Sequence, residues 1–209
     1  MNILFLGYEK SRIIDFLRNR GNDVKATADK LSLEQYCEID PDLIISHGYR
    51  HIIKKPIIEK YYNKIINLHV SYLPWNRGVS PNLWSFVTGT KKGVTIHFIN
   101  EGIDTGDILF QQEVKFEEDV TLNESYQVLK VTIENLFIKN WTNIEHNQYT
   151  AIKQDLNAGS YHNKKETKEI LHFLGEKGWD NKSKDVVSLV RQGYINRERI
   201  DKGYEAEKK

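Results

Sequence analysis

The sequence contains a single cysteine, Cys37, among 209 residues. One cysteine excludes a disulfide within the chain and any zinc site built from several thiolates. It also agrees with a reducing, cytoplasmic compartment. No apolar stretch approaches the roughly 20 residues of a membrane-spanning helix, and the apolar run at the N-terminus is too short for a signal peptide. We therefore expect a cytoplasmic protein with no membrane partner.

The chain also lacks an excess of charge of either sign. Thirty Lys and Arg residues face 29 Asp and Glu residues, which leaves a formal net charge of +1. A nucleic-acid-binding protein is expected to carry a basic balance, so we expect no nucleic-acid partner. Hydrophobic residues make up 39% of the chain and aromatic residues 11%, which is enough to build a packed core in one large domain.

Short apolar runs alternate with helical patterns in the first half of the chain. Residues 2–7, 42–46 and 64–70 are typical of buried strands, and residues 11–20 and 53–61 have helical spacing. Strands separated by helices predict an α/β fold with a mostly parallel central sheet flanked by helices.

The second half changes character. Residues 93–98 and 108–114 predict two further strands, antiparallel across the turn between them. Residues 122–141 predict a long helix, and the polar residues 140–149 predict a linker.

Three polar side chains carry the chemistry that the sequence suggests. Asn67 and His69 are two residues apart on a strand, so both face the same side, and Asp104 lies in a glycine-flanked turn. An amide can donate to a developing oxyanion, and an imidazole can move a proton near neutral pH. A carboxylate can hold that imidazole and favour its charged form. The set therefore favours acyl transfer.

Other interpretations of these residues remain open from spacing alone. Asn67 and His69 without Asp104 would be typical of a structural hydrogen-bonded pair. His47, His51 and His97 could suggest a metal site, but no suitably spaced carboxylates accompany them, so we expect no metal. His97 in an alternating strand is typical of a satisfied inward-facing or edge residue.

Two motifs in the right order identify a resemblance. Residues 67–74 read Asn-Leu-His-Val-Ser-Tyr-Leu-Pro and are followed by Arg77-Gly78. Residues 93–97 read Gly-Val-Thr-Ile-His, and residues 104–108 read Asp-Thr-Gly-Asp-Ile. This region resembles the folate-dependent formyltransferase family over roughly residues 1–140. The resemblance implies a Rossmann-like catalytic domain over residues 1–140 and a short C-terminal extension over residues 141–209 for substrate contact or dimerisation.

The resemblance also implies the co-substrate and the site residues. The family transfers a formyl group from N10-formyltetrahydrofolate to an amine, and its catalytic residues match Asn67, His69 and Asp104. Two loops are similar to the folate-binding loops of the family. Their residues are Gly48, Tyr49, Arg50, His51, Ile52 and Ile53 in the first loop, and Asn100 and Gly102 in the second.

The acceptor is inferred from further similarity. Residues 48–53, 67–78 and 81–85 resemble the small bacterial nucleotide-sugar N-formyltransferases. That resemblance implies a dTDP-linked amino-dideoxyhexose, with dTDP-4-amino-4,6-dideoxyglucose favoured, in O-antigen or other surface glycan synthesis. A formyltetrahydrofolate hydrolase and a glycinamide ribonucleotide-type formyltransferase are the enzymatic alternatives. A folate- or nucleotide-binding module without turnover is the non-catalytic alternative.

Residue chemistry alone suggests the nucleotide contacts. Lys10 or Arg77 could meet the pyrophosphate, and Trp75, Trp84 or Tyr161 could stack on the base. Tyr161 fits a structural turn equally well. The C-terminal extension is too small to hold a core of its own, so it packs on the main domain or on a partner chain, and we expect a homodimer.

Overall fold

The structure is a computed structural model of the chain and describes residues 1–192. It forms two compact units. The first unit comprises Met1–His69, Thr95–Gln111 and Thr132–Gln154. The second unit comprises Val70–Val94, Gln112–Val131 and the described residues from Asp155 onward.

A six-stranded sheet is the central feature of the fold. Its strands are β1 (Asn2–Gly7), β2 (Asp23–Thr27), β3 (Leu43–His47), β4 (Ile65–His69), β6 (Gly93–Phe98) and β7 (Ile108–Glu113). They lie in the order β2-β1-β3-β4-β6-β7. The pairs β2–β1, β1–β3 and β3–β4 are parallel, whereas β4 and β6 are antiparallel. The prediction of a mostly parallel α/β sheet is therefore confirmed.

Short helices connect the parallel strands, because parallel neighbours need a crossover between them. They are α1 (Arg12–Asn19), α2 (Leu33–Ile39) and α3 (Lys55–Lys60). Ser11 caps α1 by accepting a hydrogen bond from the backbone N–H of Ile13. The apolar core beneath these helices comprises Leu4, Leu6, Tyr36, Ile44, Ile53, Ile57, Ile58, Tyr61 and Ile65.

The turn between β6 and β7 carries Asp104. The backbone N–H of Phe98 donates to the carbonyl of Asp107 at 2.9 Å, and that of Val114 donates to the carbonyl of Lys92 at 2.9 Å. β6 and β7 are therefore antiparallel, as the sequence predicts.

The second unit is mainly helical. Its elements are β5 (Arg77–Gly78), α4 (Pro81–Val87), the start of α5 (Leu122–Glu145), β8 (Tyr161–His162), α6 (Lys164–Phe173), a 3-10 helix (Gly175–Asp180) and α7 (Ser183–Arg191). β5 and β8 form a two-stranded parallel ladder. The buried core of this unit comprises Leu83, Trp84, Phe86, Val87, Leu122, Ile170, Leu174, Val186 and Val190.

Two local predictions differ from the structure. α2 was not predicted, because its seven residues bury only Tyr36 and give little helical periodicity. Residues 140–149 were predicted as a linker, but α5 continues to Glu145 because Trp141 and Ile144 extend its buried face.

The predicted domain boundary at residue 140 falls inside α5. Residues 193–209 of the predicted extension lie outside the described part of the chain. Among residues 1–192, no helix combines the length and apolar character needed to cross a membrane.

Candidate active site

Asn67 and His69 lie on the C-terminal half of β4. Their separation of two residues directs both side chains to the same face of the strand, as the sequence predicts. The neighbouring residues Ile66 and Leu68 are buried on the opposite face. The side chain of His69 is 8% exposed, so water screens its interactions weakly.

The turn after β6 brings Asp104 to the same place. Its Oδ1 atom lies 3.3 Å from Nδ2 of Asn67, which donates to it, and 3.7 Å from Nδ1 of His69. The side chain of Asp104 is 14% exposed. The structure therefore brings together the amide, the imidazole and the carboxylate that the sequence singled out.

A second histidine, His97, completes this group. Strand pairing sets His97 opposite Asn67, and Nδ2 of Asn67 lies 3.2 Å from Nε2 of His97. Nδ1 of His97 lies 2.7 Å from the backbone carbonyl of Phe98. Because a carbonyl only accepts, Nδ1 carries the proton, and Nε2 is left to accept from Asn67.

Burial keeps His97 neutral. It lowers the pKa of His97 to about 4, despite the nearby carboxylate of Asp104. A neutral ring can accept from Asn67 at all physiological pH values, so His97 fixes the rotation of the Asn67 amide. The sequence suggested only a satisfied strand residue here, since the pairing of β4 with β6 is needed to show the contact.

The two ring nitrogens of His69 have different surroundings. Its Nδ1 faces Asp104, whereas its Nε2 is buried and makes no hydrogen bond to any residue from 1 to 192. A buried N–H without a partner costs free energy that a ligand oxygen can recover. The arrangement leaves Nε2 of His69 available to a ligand, while Nδ1 faces the carboxylate of Asp104.

The candidate folate loops lie in the first unit. Residues 48–53 follow β3, and Gly48 has a φ of +70°, with the Tyr8 ring 2.3 Å from the place of a Cβ. Glycine is therefore needed there. Tyr49, Ile52 and Ile53 line a cleft of about 290 Å³. His51 and Arg50 are exposed.

The second candidate folate loop is organised by its own side chains. Oδ1 of Asn100 accepts from the backbone N–H of Gly102 at 3.1 Å and from Oγ1 of Thr105 at 2.6 Å. Asn100 therefore shapes the turn that presents Asp104.

A buried carboxylate lies at the end of β3, just before the first candidate folate loop. Glu134 accepts from Oγ of Ser11 at 2.8 Å and from Nε of Arg12 at 3.0 Å, and Nε2 of His47 lies 3.4 Å away. Burial raises the pKa of Glu134, but these partners outweigh it and the net pKa is lowered. Glu134 is thus a charged group beside His47 at the end of β3.

The histidines His47, His51 and His97 do not form a metal-binding group. Among the described residues, His69, His97 and Asp104 are the set whose ligand atoms lie close enough, within 4.8 Å of one another. Asn67 donates to the Nε2 lone pair of His97 that such a metal would need. A metal at this group would therefore have to displace the hydrogen bond between Asn67 and His97.

The predicted nucleotide contacts fall in different environments. Lys10 is exposed before α1, and Trp75 and Tyr161 are half-buried. Arg77 is buried, and its Nε and Nη2 atoms have no hydrogen-bond partner within residues 1–192. A buried guanidinium with free donors suits an anionic ligand.

Trp84 does not fit its predicted role. It is fully buried in the core of the second unit, and its Nε1 donates to Oγ1 of Thr167 at 3.1 Å. Its ring stacks on His162 with centroids 3.7 Å apart. A fully buried ring has no face left for a base, so the prediction that Trp84 stacks on a nucleotide is wrong on geometric grounds.

Comparison with known proteins gives a consistent result. A formyltransferase crystallised from Anoxybacillus kamchatkensis, PseJ, is 43% identical and superposes with a TM-score of 0.83, covering 88% of this chain and 96% of that one. Its crystals contain UDP-4,6-dideoxy-4-formamido-L-AltNAc and tetrahydrofolate. A 4-N formyltransferase from Francisella tularensis shares the fold, with a TM-score of 0.67 at 23% identity, covering 81% of this chain and 79% of that one.

Curated sequences add a second kind of relative. The methionyl-tRNA formyltransferase of Clostridium botulinum is 32% identical over 168 residues, which are 80% of this chain and 52% of that protein. The chain thus spans about half the length of the curated relatives it matches.

The family model described as formyl transferase matches residues 10–140, more than half of the chain, and includes Asn67, His69 and Asp104. The chain belongs to the formyl transferase family.

Proposed function

We propose that the protein transfers a formyl group from N10-formyltetrahydrofolate to the amine of a nucleotide-linked amino-dideoxy sugar. The observation that carries this proposal is the meeting of Asn67, His69 and Asp104 around the unpartnered Nε2 of His69. The similarity to the Anoxybacillus formyltransferase, whose crystals contain a formamido sugar nucleotide and tetrahydrofolate, supports it.

The chemistry begins with attack of the sugar amine on the formyl carbon. A new C–N bond forms, and the carbonyl electron pair moves to oxygen, giving a tetrahedral oxyanion. Nε2–H of protonated His69 and an N–H of Asn67 donate to that oxyanion. Asn67 has two N–H bonds, of which His97 takes one. The other, on the side of Asp104, donates to the oxyanion.

Collapse of the intermediate needs a proton to move. The attacking nitrogen must lose a proton, and N10 of the folate must gain one as the C–N10 bond breaks. Asp104 accepts the first, directly or through water, and the same proton passes on to N10 as the C–N10 bond breaks. Before Asp104 is protonated, its charge stabilises the imidazolium of His69. Tetrahydrofolate and the formamido sugar leave, and the protein returns to its starting protonation.

The choice of sugar follows from the relatives. The resemblance to nucleotide-sugar N-formyltransferases favours dTDP-4-amino-4,6-dideoxyglucose, and the Anoxybacillus complex contains a UDP sugar with its formamido group at position 4. The two agree on the 4-amine and differ in the nucleotide. We propose a 4-amino-4,6-dideoxy sugar and place the UDP-linked form first, because 43% identity extends over 88% of this chain.

The remaining contacts are proposals from residue chemistry. Arg77 or Lys10 meets the pyrophosphate, and Trp75 or Tyr161 contacts the base. The folate lies against the loops at 48–53 and 100–104. The cytoplasmic location, the homodimer and a role in O-antigen or other surface glycan synthesis stay predictions.

The test is an acceptor panel with N10-formyltetrahydrofolate. Purified protein is incubated separately with UDP- and dTDP-linked 4-amino-4,6-dideoxy sugars, a dTDP-3-amino sugar, glycinamide ribonucleotide and methionyl-tRNA. Release of tetrahydrofolate is followed by absorbance, and the acceptor is checked by mass spectrometry for the gain of one formyl group. We expect formylation of a 4-amino sugar nucleotide only.

Each other outcome contradicts the proposal in a recognisable way. Formylation of methionyl-tRNA would match the curated relatives instead. Acceptor-independent release of tetrahydrofolate would indicate a hydrolase. Folate binding without release under any condition would indicate a binding module.

A further inference from the structure

We propose that Gln154 is a positioning residue for formyl transfer, because it holds the turn that carries Asp104. This inference rests on the proposed function. Gln154 lies beyond residues 10–140, where the family model matches, and no sequence motif pointed to it.

Gln154 binds the turn through both hydrogens of its amide. Its Nε2 donates to the backbone carbonyl of Asp104 at 3.0 Å and to that of Gly106 at 2.6 Å. Since carbonyls only accept, the NH₂ group and not the amide oxygen must face the turn. The residue is 7% exposed, so these hydrogen bonds form away from competing water.

The turn needs such support, because its backbone is strained. Asp104 has a φ of +53°, a left-handed conformation that costs free energy for a residue with a Cβ. At Gly106 the place of a Cβ is 1.9 Å from the carbonyl oxygen of Phe98, so the chain is pressed against β6. Gln154 bonds the carbonyls on both sides of Thr105 and stabilises this conformation.

Gln154 is itself held in place. The backbone N–H groups of Ile108 and Ile152 each donate to the other residue's carbonyl at 2.8 Å. This bridge fixes the chain two residues before Gln154 against the start of β7. The segment after α5 therefore contributes to the candidate site of the first unit.

The chemical consequence concerns the carboxylate of Asp104. It lies 3.7 Å from Nδ1 of His69, and a shift of about 1 Å in such a group can reduce turnover on the order of 100-fold. Gln154 contacts backbone atoms and none of the reacting groups. Its loss is expected to lower kcat while leaving substrate affinity nearly unchanged.

The experiment compares Gln154→Leu with Gln148→Leu in the full chain. Gln148 is an exposed glutamine close in sequence, so its variant controls for the change of residue type. We expect Gln154→Leu to lower kcat at least about 10-fold with both KM values within about 3-fold, and Gln148→Leu to match the wild type. If Gln154→Leu and Gln148→Leu both have the kcat of the wild type, the inference is overturned.

A double-mutant cycle separates positioning from general stability. If Gln154 acts through Asp104, adding Gln154→Leu to Asp104→Asn causes little further loss of kcat. An undiminished additional loss in the Asp104→Asn background would show a merely structural role and contradict the proposal.

A second readout does not depend on turnover. Hydrogen exchange of peptides covering residues 100–108 should be faster in Gln154→Leu than in Gln148→Leu and the wild type. If the wild type transfers no formyl group, the proposed function fails. Faster exchange of residues 100–108 in Gln154→Leu would still show that Gln154 stabilises the turn. Unchanged protection of the turn would overturn that support whether or not the protein is active.

Discussion

The amide of Asn67 connects the free protein to the proposed reaction. Its two N–H groups point at His97 and at Asp104, so one is anchored by a neutral acceptor and the other by an anion. Because the pKa of His97 is lowered to about 4, its side of the amide stays fixed. The N–H on the side of Asp104 is the one that can donate to an oxyanion.

Removing either oxyanion donor should slow turnover with little effect on binding. We expect Asn67→Ala and His69→Ala each to lower kcat by at least about 100-fold, because both donors act on charge that exists only in the transition state. Steady-state kinetics on the acceptor found in the panel, together with folate titration, measure this separation of kcat from affinity.

His146→Ala is the matched control for these variants. His146 is exposed, and its Nδ1 lies 2.8 Å from the carbonyl of Thr142 on the preceding turn. The kcat of His146→Ala should equal that of the wild type. Near-normal rates in Asn67→Ala or His69→Ala would remove that residue from the mechanism.

The β5–β8 ladder joins the Arg77 segment to the C-terminal part of the second unit. Arg77 pairs with Tyr161 and Gly78 with His162, and the N–H of Val79 donates to the carbonyl of His162 at 2.9 Å. The ladder has only two residues on each side, so close backbone approach matters. At Gly78 the place of a Cβ is 2.3 Å from the His162 oxygen.

Gly78→Ala should therefore disrupt this ladder. Gly78 has a φ of +92°, and a methyl group would also meet the Tyr161 ring at 2.9 Å. Gly21→Ala is a suitable comparison, since Gly21 has a φ of +80° but nothing within 4 Å of a Cβ. We expect Gly21→Ala to cost about 1 kcal/mol of unfolding free energy and Gly78→Ala about 2 kcal/mol more.

Urea denaturation of both variants gives this comparison directly. If both variants lose the same unfolding free energy, the β5–β8 ladder accommodates the added methyl group. Close packing would then not be the reason for glycine at position 78.

Both units keep a histidine buried and uncharged, which links the stability of the protein to pH. Burial lowers the pKa of His97 in the first unit to about 4. In the second unit burial, together with the charge of Arg77, lowers the pKa of His162 to about 3. The carboxylate of Glu166 also faces His162, 4.0 Å from its Nδ1, but does not reverse this shift.

Stability should therefore fall on mild acidification. Between the unfolded pKa near 6.5 and the folded values, the unfolded chain binds protons at these histidines and the folded chain does not. The free energy of unfolding then decreases as pH falls, by up to about 1.4 kcal/mol per pH unit for each histidine. Urea denaturation at pH 7.5, 6.5 and about 5 measures this slope.

His162→Phe tests the share of one histidine. The phenyl ring keeps the stack on Trp84 but cannot bind a proton, so the decrease between pH 6.5 and about 5 should become shallower. His146→Gln, at an exposed site, should keep the wild-type slope. A wild-type slope in His162→Phe would show that His162 is not held neutral in the folded protein.

Local geometry made part of the site predictable. A strand directs alternate side chains to the same face, so the spacing of Asn67 and His69 is sufficient to pair them. Apolar runs separated by helical patterns likewise predict the parallel part of the sheet. The order of the motifs from residue 67 to residue 108 supplied the family, because each motif is a short continuous segment.

Packing between distant segments decided the rest. The contact of His97 with Asn67 depends on the pairing of β4 with β6, and the bonds of Gln154 to the Asp104 turn cross 50 residues of sequence. Trp84 is fully buried and therefore belongs to the core, which the sequence could not show. The sequence therefore determined which chemical groups are available, whereas hydrogen bonds and burial in the folded chain determined which of them act together.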